Sequence, residues 1–142
     1  MEERKKQMKT FMKRALWTLL LLTVAAAMAV CASAANEIDS GKCGENLTWT
    51  LYDDGEMVID GQWSMSNYSS NNAPWNAYKA NIRTLTIKDG VESIGSSAFQ
   101  DCSLLSTINF GNGLTSIGQS AFRNCDALKG ITIPDTVNSI GS

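Results

Sequence analysis

The chain has 142 residues, enough for one ordinary domain, with 12 Lys or Arg against 14 Asp or Glu and no histidine. Without histidine it lacks the commonest general base, the usual Ser and Cys triads, and most zinc and copper ligand sets. Six of the basic residues lie in the first fourteen positions, so residues 35–142 carry six basic against twelve acidic side chains, a net charge of −6. A remainder this acidic, with no basic cluster, has no electrostatic footprint for nucleic acid or anionic lipid.

The chain opens with three zones in succession. Met1–Arg14 is cationic through Arg4, Lys5, Lys6, Lys9, Lys13 and Arg14, and Ala15–Val30 is apolar over 16 residues. Ala32-Ser33-Ala34 then supplies small residues for signal peptidase, so residues 1–34 read as a signal peptide cleaved before Ala35. An uncleaved anchor is the alternative, but the apolar run is short of the roughly 20 residues that span a bilayer. Cys31 raises the possibility of lipidation; Val30 before it is larger than that processing favours, so Cys31 is expected to leave with the peptide. Export then leaves no membrane-inserted segment.

Residues 35–42 read as a short linker, and residues 43–81 as a β-rich unit. Leu47-Thr-Trp49-Thr-Leu51 alternates apolar and polar, Asp53-Asp54-Gly55 is a turn, and Met57-Val58-Ile59 follows, together predicting a β-hairpin. A polar stretch over 64–72 precedes Ala73-Pro74-Trp75.

From residue 82 the chain repeats itself. Residues 85–107 (LTIKDGVESIGSSAFQDCSLLST) and 108–130 (INFGNGLTSIGQSAFRNCDALKG) share nine of 23 positions, and residues 131–142 begin a third copy. Self-similarity at such a period signals a solenoid, in which units too small to bury their own apolar faces stack and share one core. The apolar frame L-x-x-L-x-L recurs at Ile82/Leu85/Ile87, Leu105/Ile108/Phe110 and Leu128/Ile131/Ile133, and predicts a short strand at the end of each frame. Frame and period together are the leucine-rich-repeat pattern. The expected fold is mainly β with short helical or turn segments: a leucine-rich-repeat solenoid of 23-residue repeats over 82–142, capped by the N-terminal hairpin unit 43–81. The third copy stops midway, which suggests a fragment or a partner over the open end.

The run I-G-x-x-A-F-x-x-C-x-x-L, at Ile94–Leu105 and Ile117–Leu128, resembles the repeats of the BspA-like, or Treponema pallidum type, leucine-rich-repeat family. Ile131-Thr-Ile-Pro134-Asp-Thr-Val-Asn-Ser-Ile-Gly141 resembles that family's half-repeat. Cys43–Leu51 (C-G-x-N-L-T-W-T-L) and the Ala73-Pro74-Trp75 motif are similar to segments that precede such repeats. The resemblance implies an exported bacterial surface protein, built as a repeat array and associated with adhesion and host contact.

Several groups invite a functional reading. Trp49, Trp63 and Trp75 suit sugar stacking, but three large aromatics in a small cap are expected to fill its core. Asp53, Asp54, Glu56 and Asp60 offer oxygen ligands for calcium, without the order of a calcium loop and without a partner that would divide acid and base roles. Cys102 and Cys125, one period apart, form either a disulfide or two small buried thiols, and parallel stacking favours thiols. Cys43 then has no assigned partner. Gly90, Gly95, Gly113 and Gly118 are expected at turns of positive φ. Asn46-Leu-Thr48 and Asn67-Tyr-Ser69 match a glycosylation pattern that is silent in bacteria.

The remaining candidate is the outward face of the repeat strands. Thr86, Lys88, Asn109 and Thr132, flanked by Thr84, Thr107 and Gly130, stack as a flat polar face fit for a ligand. The expected function is non-catalytic, with no cofactor or metal: binding of a host or bacterial surface protein or glycan. The alternative is a structural spacer that displays a downstream domain.

Overall fold

The computed structural model describes residues 34–142, and Ala35–Ser142 form one compact unit. The signal-peptide reading falls on residues 1–34 and so lies outside the described residues except for Ala34. The described chain is mainly β with almost no helix: nine strands and one short 3-10 helix, Asn76–Tyr78.

The first three strands are β1 (Glu37–Lys42), β2 (Leu47–Tyr52) and β3 (Glu56–Gly61), and they pair antiparallel in that order. In β2 the alternation places Leu47, Trp49 and Leu51 inside, with Thr48, Thr50 and Tyr52 outside; Met57 and Ile59 of β3 join them. The β2–β3 turn closes with the Gly55 N–H donating to the Tyr52 carbonyl at 3.1 Å. Gly55 has φ +87°, where a Cβ would also press on the Asn81 carbonyl, so only glycine fits. The stretch 35–42, expected as a linker, contains β1. Its sequence, EIDSGK, lacks the apolar alternation that marks a strand, and backbone pairing to β2 makes it one.

From β3 onward the pairing turns parallel. The first sheet continues through β5 (Thr84–Ile87) to β7 (Thr107–Phe110), in the order β1-β2-β3-β5-β7. A second, wholly parallel sheet runs β4 (Trp63–Ser64), β6 (Val91–Ile94), β8 (Ser116–Ile117) and β9 (Ser139–Ile140). The registers Leu85↔Ile108, Ile94↔Ile117 and Ile117↔Ile140 each join residues 23 positions apart, the spacing of the identical residues in the sequence.

Both sheets contribute to a single apolar core. Leu85 and Ile87 of β5 and Val91 and Ile94 of β6 are buried, and the turns after β6 carry Ala98, Phe99, Cys102 and Leu105 inward. Those turns are stacked by backbone bonds: the N–H groups of Ser97, Phe99 and Asp101 donate to the carbonyls of Gln119, Ala121 and Arg123 at 2.9, 2.8 and 2.8 Å. Ser97 and Asp101, and again Ser120 and Asn124, hold positive φ values of 52–64°. Gly90 and Gly113 have the expected positive φ, but Gly95 and Gly118 do not. Those two are required for close approach instead: a Cβ on Gly95 would meet the Ser66 carbonyl, and one on Gly118 the Ser96 backbone.

One strand expectation fails. The third frame, Ile131–Ile133, is not a strand, although Ser139–Ile140 further on does pair. Among the described residues it has a neighbour on one side only, and Pro134 immediately after it brings no N–H to a ladder.

Candidate functional site

The outward face of the five-stranded sheet follows from the alternation that fills the core. Registers Ser40↔Thr50, Thr50↔Val58, Val58↔Thr86 and Thr86↔Asn109 align one transverse row across all five strands. Adjacent strands lie about 4.8 Å apart, so the row spans roughly 19 Å. Four of its five side chains are short and polar. Short side chains leave the sheet open to close approach by a partner.

Two side-chain bonds tie this face together. The Thr86 hydroxyl donates to Glu56 Oε1 at 2.6 Å, and Asn109 Nδ2 donates to Thr86 Oγ1 at 3.3 Å. Thr86 is thereby fixed between a carboxylate and an amide. Asn109 is exposed, and so is Lys88 just beyond β5, whose N–H donates to the Ile59 carbonyl at 2.9 Å. Of the four residues expected to form the face, the structure joins Thr86 to Asn109 and sets Lys88 beside them at the end of the same strand. Thr132 is exposed, but its segment is not a strand and no bond links it to Asn109. Ser40, Thr50 and Glu56 complete the face and escaped sequence reasoning. The alternation in Leu47–Leu51 signalled Thr50; nothing in Glu37–Lys42 signalled Ser40.

The acidic cluster disperses. Asp53 accepts from the Asn36 N–H and Nδ2 at 3.0 and 2.8 Å, Asp54 from the Glu56 N–H at 2.9 Å, and Asp60 from the Gly61 N–H at 2.7 Å. The side-chain bond from Asn36, then its backbone N–H, holds the Asp53 carboxyl below the usual carboxylate range. Each carboxylate thus serves a separate turn or strand, and among the described residues no three acidic or thiol groups gather as a ligand set.

The tryptophans divide. Trp49 and Trp75 are buried, and Trp75 Nε1 donates to the Ala98 carbonyl at 2.9 Å. Trp75, Phe99 and Phe122 form a stacked column with ring centroids 5.2 and 5.7 Å apart. Trp63 departs from the expected core role: it is 51% exposed. It begins β4 at the molecule's surface, where its backbone pairs but its ring has no core layer to enter.

Cys43, Cys102 and Cys125 are buried free thiols. Burial pushes Cys43 and Cys102 up to about 12 and Cys125 to about 11; the neighbouring Cys125 adds to the effect at Cys102. The Cys125 thiol donates to the Phe99 carbonyl at 3.2 Å. Protonated, enclosed thiols of this kind are packing groups rather than nucleophiles.

Residues 75–142 match the family model described as 'BspA type Leucine rich repeat region (6 copies)'. No curated protein matches the chain. Among solved structures it is similar to a leucine-rich repeat protein from Eubacterium ventriosum ATCC 27560, with a TM-score of 0.67 and 26% identity over 72% of this chain. It spans only 27% of that protein's chain. A leucine-rich repeat protein of T. pallidum (TM-score 0.45, 23% identity) aligns over 70% of this chain and 53% of its own. A leucine-rich cell surface protein of Faecalibacterium prausnitzii A2-165 (TM-score 0.43, 21% identity) aligns over 78% and 34%.

Proposed function

We propose that this chain, whose residues 75–142 are a BspA-type leucine-rich repeat region, is a non-catalytic recognition module on a bacterial surface. It binds a protein or glycan through the outward face of the five-stranded sheet. In this reading residues 1–34 direct export, residues 43–81 cap the stack, and the 23-residue repeats that follow build a solenoid whose strands line the binding face. The observation that carries the reading is the hydrogen-bonded row Glu56–Thr86–Asn109 on the outward face of the sheet. Such a row presents fixed donors and acceptors without charge enough to recruit nucleic acid, and it contains no acid–base pair for catalysis.

The test is binding of the protein to arrayed glycans and to immobilised surface proteins, before and after Thr86→Lys, Asn109→Lys and Thr132→Lys. Long positively charged stems on β5, on the edge strand β7 and just beyond it should weaken an authentic ligand at least tenfold, a loss of about 1.4 kcal/mol. Unchanged binding by the triple variant defeats this assignment.

A second reading is a spacer array that displays another domain. Its support is a shallow apolar depression of about 370 Å³ beside β8 and β9, lined by the partly buried Phe122 and the 61%-exposed Ile140 over the buried Ala121. Apolar layer edges of this kind are suited to a further stacked layer. A spacer tolerates the three lysine substitutions with no loss of any interaction.

A further inference from the structure

Trp63 combines two costs that ordinary packing does not explain. Its indole is 51% exposed, and its backbone sits at φ +78°, a left-handed conformation that strains a bulky residue by on the order of 1–3 kcal/mol. The strain coincides with an irregularity in the sheet. Trp63 pairs with Val91 and Ser64 with Ser93, so one step along β4 faces two along β6, and Glu92 is the extra residue. Bulges of this kind re-aim the side chains beside them. The conformation is held by the Trp63 N–H donating to the Gly90 carbonyl at 2.9 Å and the Met65 N–H to the Ser93 carbonyl at 3.2 Å.

An open groove of about 370 Å³ starts at the next residue and crosses the four-stranded sheet. Along it the registers Ser64↔Ser93, Ser93↔Ser116 and Ser116↔Ser139 set one serine on each strand. Their hydroxyls have no partner among the described residues. Asn67 lines the same groove; its Oδ1 accepts from the Ser96 N–H at 2.8 Å, which leaves its amide nitrogen free to donate. No lining side chain is charged.

From these features we infer that the groove and Trp63 form a binding site for a neutral, linear oligosaccharide, separate from the face of the five-stranded sheet. A ring that is exposed at a cost in strain is a platform for the apolar face of a pyranose. Hydroxyl and amide groups repeated at the strand spacing of about 4.8 Å meet the hydroxyls of successive sugars. The absence of charge in the lining gives an ionic ligand no counter-charge, and the net charge of −6 over residues 35–142 repels polyanions. A peptide added as a strand is disfavoured too, because the backbone beneath the groove is already paired within β4, β6, β8 and β9.

The test is calorimetric titration of the protein with cellohexaose, mannohexaose and chitohexaose. At least one of the three binds, and Trp63→Ala weakens it by roughly tenfold or more, while Trp63→Phe, which keeps a stacking ring, binds within about threefold of the parent. Ser116→Leu and Ser139→Leu, which fill the groove from a half-buried and an exposed position, each cause a comparable loss with an unchanged circular dichroism spectrum. Thermal melting supplies the independent readout. Trp63→Gly relieves the left-handed strain, so it melts higher than Trp63→Ala although it binds no better. The inference is overturned if none of the three hexasaccharides binds. It is equally overturned if Trp63→Ala, or the folded groove-filling variants, bind as tightly as the parent.

Discussion

Phe99 is fully buried with Trp75 stacked on one face and Phe122 on the other. Truncating it leaves a cavity between two rings that backbone bonds hold in place, so little collapse is available. Phe99→Ala should therefore cost about 3–5 kcal/mol in chemical denaturation, at the level of the largest core truncations. A loss below about 1 kcal/mol would mean that the aromatic column is not part of the core. The thiols make a second prediction at this scale. Their folded values, raised from the ordinary 9.0 to about 11–12, mean that the unfolded chain releases these protons at lower pH than the folded one. Their contribution to stability is thus complete below pH 9 and is lost as the pH climbs from 9 towards 12. Maleimide labelling at pH 8, read by peptide mapping, should leave Cys43, Cys102 and Cys125 unmodified in the native protein and modify all three in denaturant. Native labelling contradicts the enclosed-thiol assignment.

Among the elements, β1 is the one with the weakest local code. It offers Ile38, 46% exposed, as its only large apolar side chain, and its register to β2 shifts between Glu37 and Asp39. Its start is tied down by the two bonds from Asn36 to the Asp53 carboxylate. That carboxyl is held below its usual range, so the tie is intact above the ordinary carboxylate pKa and is lost as the pH falls through the lowered value. Hydrogen exchange should then show the amides of 37–42 opening ahead of β2 and β3 as the solution is acidified. Asp53→Ala should reproduce this at neutral pH. Equal protection of the three strands in that variant would show that the tie does nothing. The same comparison explains why the linker reading of 35–42 did not survive: a strand made by its neighbour's backbone leaves no periodicity to read. Conversely, β2 was legible because Leu47, Trp49 and Leu51 alternate onto the core.

On the scale of the whole molecule, burial runs down along the stack. Leu85 and Ile87 are buried, Ile108 and Phe110 partly so, and Ile140 is open to solvent. Neighbouring layers protect one another, and each layer's exposure reports how many neighbours it has. Among the described residues no helix is long and apolar enough to cross a membrane. Residues 1–34 carry the cationic, apolar and small-residue zones in order, so protein recovered from the envelope or medium should begin at Ala35. N-terminal sequencing settles this; a start at Met1 removes the export reading and with it the surface location. The candidate face was partly legible for the same repeat-based reason. The 23-residue spacing paired Thr86 with Asn109 on paper, and the register pairs them in the sheet. Ser40 and Thr50 joined that face only because β1 and β2 add antiparallel strands to its edge.

By itself, the sequence determined what depends on residues close in the chain or equal in the repeat. These are the β2–β3 hairpin around Gly55, the alternation that sends Leu85 and Ile87 inward, and the 23-position offset between paired strands. Local sterics and side-chain periodicity carry that information. Tertiary structure alone decided the rest: that Glu37–Lys42 is a strand, that Ile131–Ile133 is not, that Gly95 and Gly118 serve close approach, and that Trp63 stays outside the core. The physical reason is common to all four. Each depends on which backbone or side chain lies across from the residue in space, and no residue's own side chain encodes its neighbour on the next layer.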